Sequence, residues 1–152
     1  MGLDMYLSKR TYVENWDHTP KDKQYKVTVK RKAGHQIKTE RITEISEQIM
    51  YWRKANHIHK FFIDNCADGV DECQAIHVSR DKLADLVVKL KVVVHHKDDE
   101  TSKWNLPTED GFFFGGTQFD EYYYEECSKT LEVIEGLLRD EQDGDIWYQA
   151  SW

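Results

Sequence analysis

Tyr51-Trp52-Arg53-Lys54-Ala55-Asn56-His57-Ile58-His59-Lys60 is the stretch on which the reading of this chain turns. Trp52, Ala55, Phe62 and Cys66 recur at helical spacing, which predicts an amphipathic helix from Trp52 to about Cys66, ended by the Asp68-Gly69 turn. With Trp52 at the origin of a wheel stepping about 100° per residue, Ala55, Phe62 and Cys66 fall near about 300°, the buried centre. His59 then falls at about 340° and Asn56 at about 40°, while Arg53 and Lys60 line the edge of that face. Polar groups turned inward break the rule followed along the rest of the chain, so this is where function is sought.

Upstream, Leu3 to Leu7 alternates as a strand, with Leu3, Met5 and Leu7 on one face. Tyr25 to Val29 reads as a second strand, followed by the basic, Gly34-containing segment Lys30 to His35. From Ile37 to Met50 two periods compete: Ile42, Ile45 and Ile49 suit a helix, while Thr39, Arg41, Thr43 and Ile45 suit a strand. Downstream, Ala75 to Val78 is a short strand, and Ser79 caps a helix running to about Val94 on Leu83, Leu86, Val87, Leu90 and Val93. His95 to Ser102 reads as a loop and Phe112 to Phe114 as a buried strand. Thr117-Gln118-Phe119-Asp120 fits a capping pattern, and the helix after it buries Tyr123, Cys127, Thr130, Ile134 and Leu137 before ending near Leu138. Ile146 to Trp152 alternates as a closing strand, which either finishes the sheet or pairs with another copy in a homodimer. The sum is one α+β domain over residues 1–152, about three helices on one face of a mixed or antiparallel sheet.

Length and composition bound the rest. A chain of 152 residues can bury roughly 68–70% of its unfolded surface without disulfide help. The formal charge of −7 argues against general nucleic-acid binding, although a local basic patch would still hold a small anion. The three cysteines, Cys66, Cys73 and Cys127, are too few for a disulfide scaffold, and neither Val92–Val94 nor Phe112–Phe114 is long enough to span a membrane. A cytoplasmic protein is the expectation.

The inward face of the 52–66 helix offers Asn56, His59, Arg53 and Lys60 within two turns, bordered by Trp52. Arginine presents a planar fork to phosphate or carboxylate, lysine adds a point charge, and the indole of Trp52, or a tyrosine, stacks on a flat ring. Against this stands the plainer reading that Asn56 and His59 bond neighbouring strands while Arg53 and Lys60 are solvated charges. Gly115-Gly116-Thr117 precedes a helix, where backbone N–H groups favour an anion, although two glycines before a threonine also make an ordinary turn.

Catalytic and metal patterns fail on spacing. His57 and His59 lie about 200° apart on a helix and cannot chelate one ion, and no Cys-x-x-Cys pair accompanies them. The acids Asp64, Asp68, Asp71 and Glu72 lack the spacing of a calcium loop. His77-Val78-Ser79 is half of a two-histidine phosphoesterase motif whose second half is missing, and no nucleophile elbow, P-loop or dinucleotide fingerprint is present. No catalytic residue, metal or cofactor is therefore assigned.

Met1-Gly2-Leu3-Asp4-Met5-Tyr6-Leu7, Tyr51-Trp52-Arg53-Lys54-Ala55-Asn56 with Ile58-His59-Lys60, and Trp147-Tyr148-Gln149-Ala150-Ser151-Trp152 together resemble a family of small bacteriophage and prophage proteins. Leu106-Pro107-Thr108, Gly111-Phe112-Phe113-Phe114-Gly115 and Tyr122 to Tyr124 fit the same resemblance, which spans nearly the whole chain and is weakest over residues 21–49. It implies a phage setting and no particular chemistry. Three functions follow in order: a non-enzymatic binder of a small anionic ligand such as a host defence nucleotide, an inhibitor or adaptor of a host or phage protein, and a nucleotide hydrolase using His59.

Overall fold

The computed structural model describes residues 2–140 and 143–152. Its main sheet has the order β4-β1-β6-β5 and is antiparallel throughout, built from β1 (Asp4–Tyr12), β4 (Glu44–Arg53), β5 (Ile76–Val78) and β6 (Asp145–Ser151). Strands β2 (Val29–Lys30) and β3 (Gln36–Ile37) form a separate two-stranded ribbon. Helices α1 (Asn56–Cys66), α2 (Arg80–His96), α3 (Asp99–Asn105) and α4 (Glu121–Asp140) complete the α+β architecture.

Register explains which sheet face is covered. Across three strands Trp52, Met5 and Ala150 stand side by side, and one step along Leu7, Tyr148 and Ile76 do the same. All six are buried, because period-2 alternation turns them together toward the helices. On the opposite face Tyr6 pairs with Tyr51, and both rings are exposed. A bulge between Leu7 and Ser8 sets two residues of β4, Gln48 and Met50, on either side of an extra Ile49. The core closes on the apolar stripes of α2 and α4, with Leu83, Leu86, Leu90 and Val93 facing Cys127, Ile134 and Leu137 in one buried cluster.

Several sequence expectations need correction. Tyr51, Trp52 and Arg53 belong to β4, and α1 begins only at Asn56. Pairing of Asp4, Met5 and Tyr6 with Arg53, Trp52 and Tyr51 claims these residues for the sheet, and Lys54 turns the chain out of it at φ 58°. The ambiguous 37–50 stretch resolves as a short 3₁₀ turn followed by β4. Of the strand expected over Tyr25 to Val29, only Val29 belongs to a paired strand, β2. His95 to Ser102 is not one loop, since Asp98 caps α3 by accepting from the Thr101 backbone and hydroxyl, each at 2.8 Å. Phe112 to Phe114 is a turn closed by Phe114 N–H on the Gly111 carbonyl, and Phe112 is 96% exposed. The cap of α4 is Asp120, which accepts from Tyr123 N–H at 3.0 Å, rather than Thr117. Strand β6 lies between β1 and β5 and so offers no free edge over residues 146–148. Among the described residues no helix is long and apolar enough to cross a membrane.

Candidate functional site

Where β4 hands over to α1, the chain makes a sharp corner. Lys54 adopts a left-handed backbone while its N–H donates to the Leu3 carbonyl at 2.7 Å, and α1 then starts on Ala55, whose methyl cannot cap it. A helix that starts without a side-chain cap presents free amide groups and the positive end of its dipole. A cavity of about 400 Å³ opens against this start, lined among others by Arg53, Lys54, Asn56, His57, Gly115 and Tyr122. Arg53 and Lys54 are exposed, and neither makes an ion pair among the described residues.

Opposite the helix start runs the 106–120 segment, and Asn56 holds it there. The Asn56 amide donates to the carbonyls of Phe114 at 3.0 Å and Gly116 at 2.9 Å, while its oxygen accepts from Glu109 N–H at 3.0 Å. Gly115 closes on the corner from the other side: at φ 87° it sits where a Cβ would stand 3.0 Å from the Lys54 side chain. Asn56 therefore shapes the cavity wall with an amide that is already occupied. Asn56→Ala is expected to cost about 2–3 kcal/mol, because two carbonyls and one N–H lose their partner together. Urea unfolding and faster amide exchange at residues 109–116 would register it; unchanged exchange there would show that the segment is held by other means.

His57 is the group that sequence reasoning missed. It is 3% exposed, its ring lies 4.2 Å from that of Tyr123, and its Nε2 has no hydrogen-bond partner among the described residues. It lines the main cavity and also a smaller one of about 170 Å³ beside Lys60. Burial lowers its pKa from 6.5 to about 3, so it is a neutral imidazole at any physiological pH. The wheel placed His57 outward because it assumed that one face of the helix met solvent. A signal was present in Phe61, one turn further along the same side: α1 is apolar on that side as well, and His57 and Phe61 are both buried.

The other expected site residues lie elsewhere. Trp52 is 1% exposed, packs against Phe62 and Tyr148, and donates its indole N–H to Thr130 Oγ1 at 2.8 Å. It offers no ring face to a ligand; the exposed Tyr122, whose hydroxyl donates to the Arg53 carbonyl, stands at the cavity instead. His59 is fully buried, with Nε2 bonded to Asp71 at 2.9 Å and Nδ1 to the Tyr148 hydroxyl at 2.6 Å. Both ring nitrogens are thus occupied, and burial holds the Tyr148 phenol well above its ordinary pKa. Lys60 pairs with Asp64 at 2.8 Å, and Thr117 only lends its carbonyl to the Thr108 hydroxyl. Of the eight residues read from the sequence, Arg53, Asn56, Gly115 and Gly116 line the cavity, while Trp52, His59, Lys60 and Thr117 do not.

Neither Cys66 nor Cys127 lines this cavity. Burial pushes the Cys127 thiol up to about 12 and raises that of Cys66, which disfavours a thiolate at either. His59, with both ring nitrogens occupied, has no free lone pair for a substrate. Among the described residues no group of histidine, cysteine and carboxylate side chains is placed to hold a metal ion. In comparison with known proteins, no family model matches the chain, and neither a curated protein nor a solved structure matches it.

Proposed function

We propose that the protein is a non-enzymatic binder that takes a small anionic ligand at the start of α1. The observation that carries this reading is the unpartnered, buried His57 Nε2 beside an uncapped helix N-terminus flanked by Arg53 and Lys54. A buried polar atom without a partner costs folding free energy, and a ligand that accepts its hydrogen bond recovers that cost. Phosphate or carboxylate oxygens would accept from the Arg53 fork and the first amides of α1, with Lys54 adding charge. Tyr122 supplies a flat ring beside them, which suits a nucleotide better than a bare anion. The resemblance to phage and prophage proteins makes a host defence signalling nucleotide the ligand to test first.

The test is depletion of nucleotides, cyclic di- and trinucleotides included, through a size-selective filter in the presence of the protein. A captured nucleotide should be recovered intact after heat denaturation. Arg53→Ala should weaken its capture roughly 10- to 100-fold, the value of one charge-assisted fork, while shifting stability by less than about 0.5 kcal/mol. Equal capture by wild type and Arg53→Ala would remove this site from consideration.

A second reading, an inhibitor or adaptor that binds a protein, draws on Phe112 and Trp104, which are 96% and 80% exposed. Passage of every nucleotide through the filter, together with a partner retained by the Arg53→Ala protein, would favour it.

A further inference from the structure

Between β1 and β4 the chain makes a long excursion over residues 13–43, and no residue from 14 to 41 is buried. An excursion of this length that adds nothing to the core is unusual in a compact domain and more often serves binding than folding. It is nevertheless organised. Val13 N–H bonds the Thr43 carbonyl at its base, and the Asn15 side chain clasps Tyr25 through both backbone groups at 2.8 and 3.0 Å. The β2–β3 ribbon ends in the turn Arg31-Lys32-Ala33-Gly34-His35, where Gly34 takes φ 98° and Arg31 N–H bonds the His35 carbonyl at 2.7 Å.

Charge is distributed very unevenly between this arm and the body. Residues 16–42 hold eight Lys and Arg against three Asp and Glu, a net of +5, so the total of −7 leaves −12 on the remainder. None of these eight cations makes an ion pair among the described residues, whereas lysines of the body such as Lys60, Lys91 and Lys129 do. Trp16 and Tyr25 stand among them, 52% and 41% exposed. Unpaired cations with aromatic rings between them are the two elements that a nucleic acid engages, through its phosphates and its base faces. Salt screens the acidic body beyond about 8–10 Å, so the overall charge does not decide what the arm meets.

We propose that this arm is a nucleic-acid docking element that seats on the phosphate backbone without reading sequence. Lys30, Arg31 and Lys32 at the ribbon tip supply the principal phosphate contacts, and Trp16 and Tyr25 give single strands a stacking surface. The arm and the α1 cavity have no lining residue in common, so the two proposals stand or fall separately.

The experiment is fluorescence anisotropy of the full chain with a short labelled duplex and its matching single strand, titrated from about 50 to about 200 mM KCl. The wild type should bind with a log–log salt slope of roughly −3 to −4. The K30A/R31A/K32A protein, altered only at exposed positions, should lose at least roughly tenfold in affinity and flatten the slope by about 2–3. Absence of binding at the lowest salt, or equal binding by the triple variant, overturns the proposal. So does sedimentation showing a wild-type dimer that the triple substitution dissociates without any nucleic-acid binding, which would assign the arm to a second copy's acidic body.

Discussion

His57→Phe should make the protein more stable at neutral pH and far less sensitive to acid. At pH 7 the substitution removes a buried nitrogen without a partner, keeps an aromatic ring against Tyr123, and has an adjoining cavity to take its extra volume. A gain of about 1–2 kcal/mol is expected, raising Tm by roughly 2–4 °C per kcal/mol for a chain of this size. The acid side is the larger effect. In the unfolded chain the ring takes a proton below its ordinary 6.5, whereas burial denies it that proton in the folded state until about pH 3. The unfolded state therefore binds more protons within that window, and stability rises with pH across it. The contribution is complete above pH 6.5 and declines as pH falls toward 3, by roughly 1.4 kcal/mol per pH unit and about 4–5 kcal/mol in all. Urea unfolding from pH 7 down to pH 4 should show the wild type losing one proton's worth of slope more than His57→Phe. Matching slopes would mean that His57 is hydrated in solution. The same variant should capture no ligand at the α1 start, and this links the stability gain to the proposed function: the orphaned nitrogen is kept at a cost to the fold.

Trp52→Ala should cost about 3–5 kcal/mol, the range for removing a fully buried large aromatic. The indole packs against the stacked rings of Phe62 and Tyr148, and its N–H donates to Thr130 Oγ1, which itself donates to the Glu126 carbonyl at 2.6 Å. Against a typical domain stability of 5–15 kcal/mol, that loss leaves the chain marginal. Trp52→Phe separates the two contributions: it retains most of the packing and leaves the Thr130 hydroxyl one partner short, for about 1–2 kcal/mol. Adding Thr130→Val should then be cheaper in the Trp52→Phe background than in the wild type, a coupling that a double-mutant cycle measures. A Trp52→Ala protein as stable as the wild type would contradict the burial of the indole. Ligand capture, measured on the folded fraction, should be nearly unaffected, because the Trp52 ring is buried on the helix-covered face of β4 and does not line the cavity.

These two residues show how far local pattern carries. Trp52 has the spacing of a helix and equally the alternation of a strand with Met50, so its inward direction was legible while its secondary structure was not. His57 failed differently: a wheel assumes one wet side, and α4 brings Tyr123 onto the side that the wheel leaves to solvent. The candidate site was legible in Arg53, Asn56, Gly115 and Gly116, which the fold gathers at one cavity. What local pattern does not carry is whether a polar group is already occupied. The Asn56 amide is bonded to residues more than fifty positions away, and His59 answers to Asp71 and Tyr148.

By itself the sequence determined the α+β class, the inward sides of β1, α2 and α4, and the inward turn of Asn56 and His59. Those follow from periodicity, since burying one side of an element favours the same spacing wherever that element is placed. Tertiary structure decided the ending of β4 at Arg53, the turn at Phe112 to Phe114, and which polar side chain stays without a partner. Each depends on backbone or side-chain hydrogen bonds to distant residues, and such bonds outweigh weak local preference whenever two local patterns fit equally well.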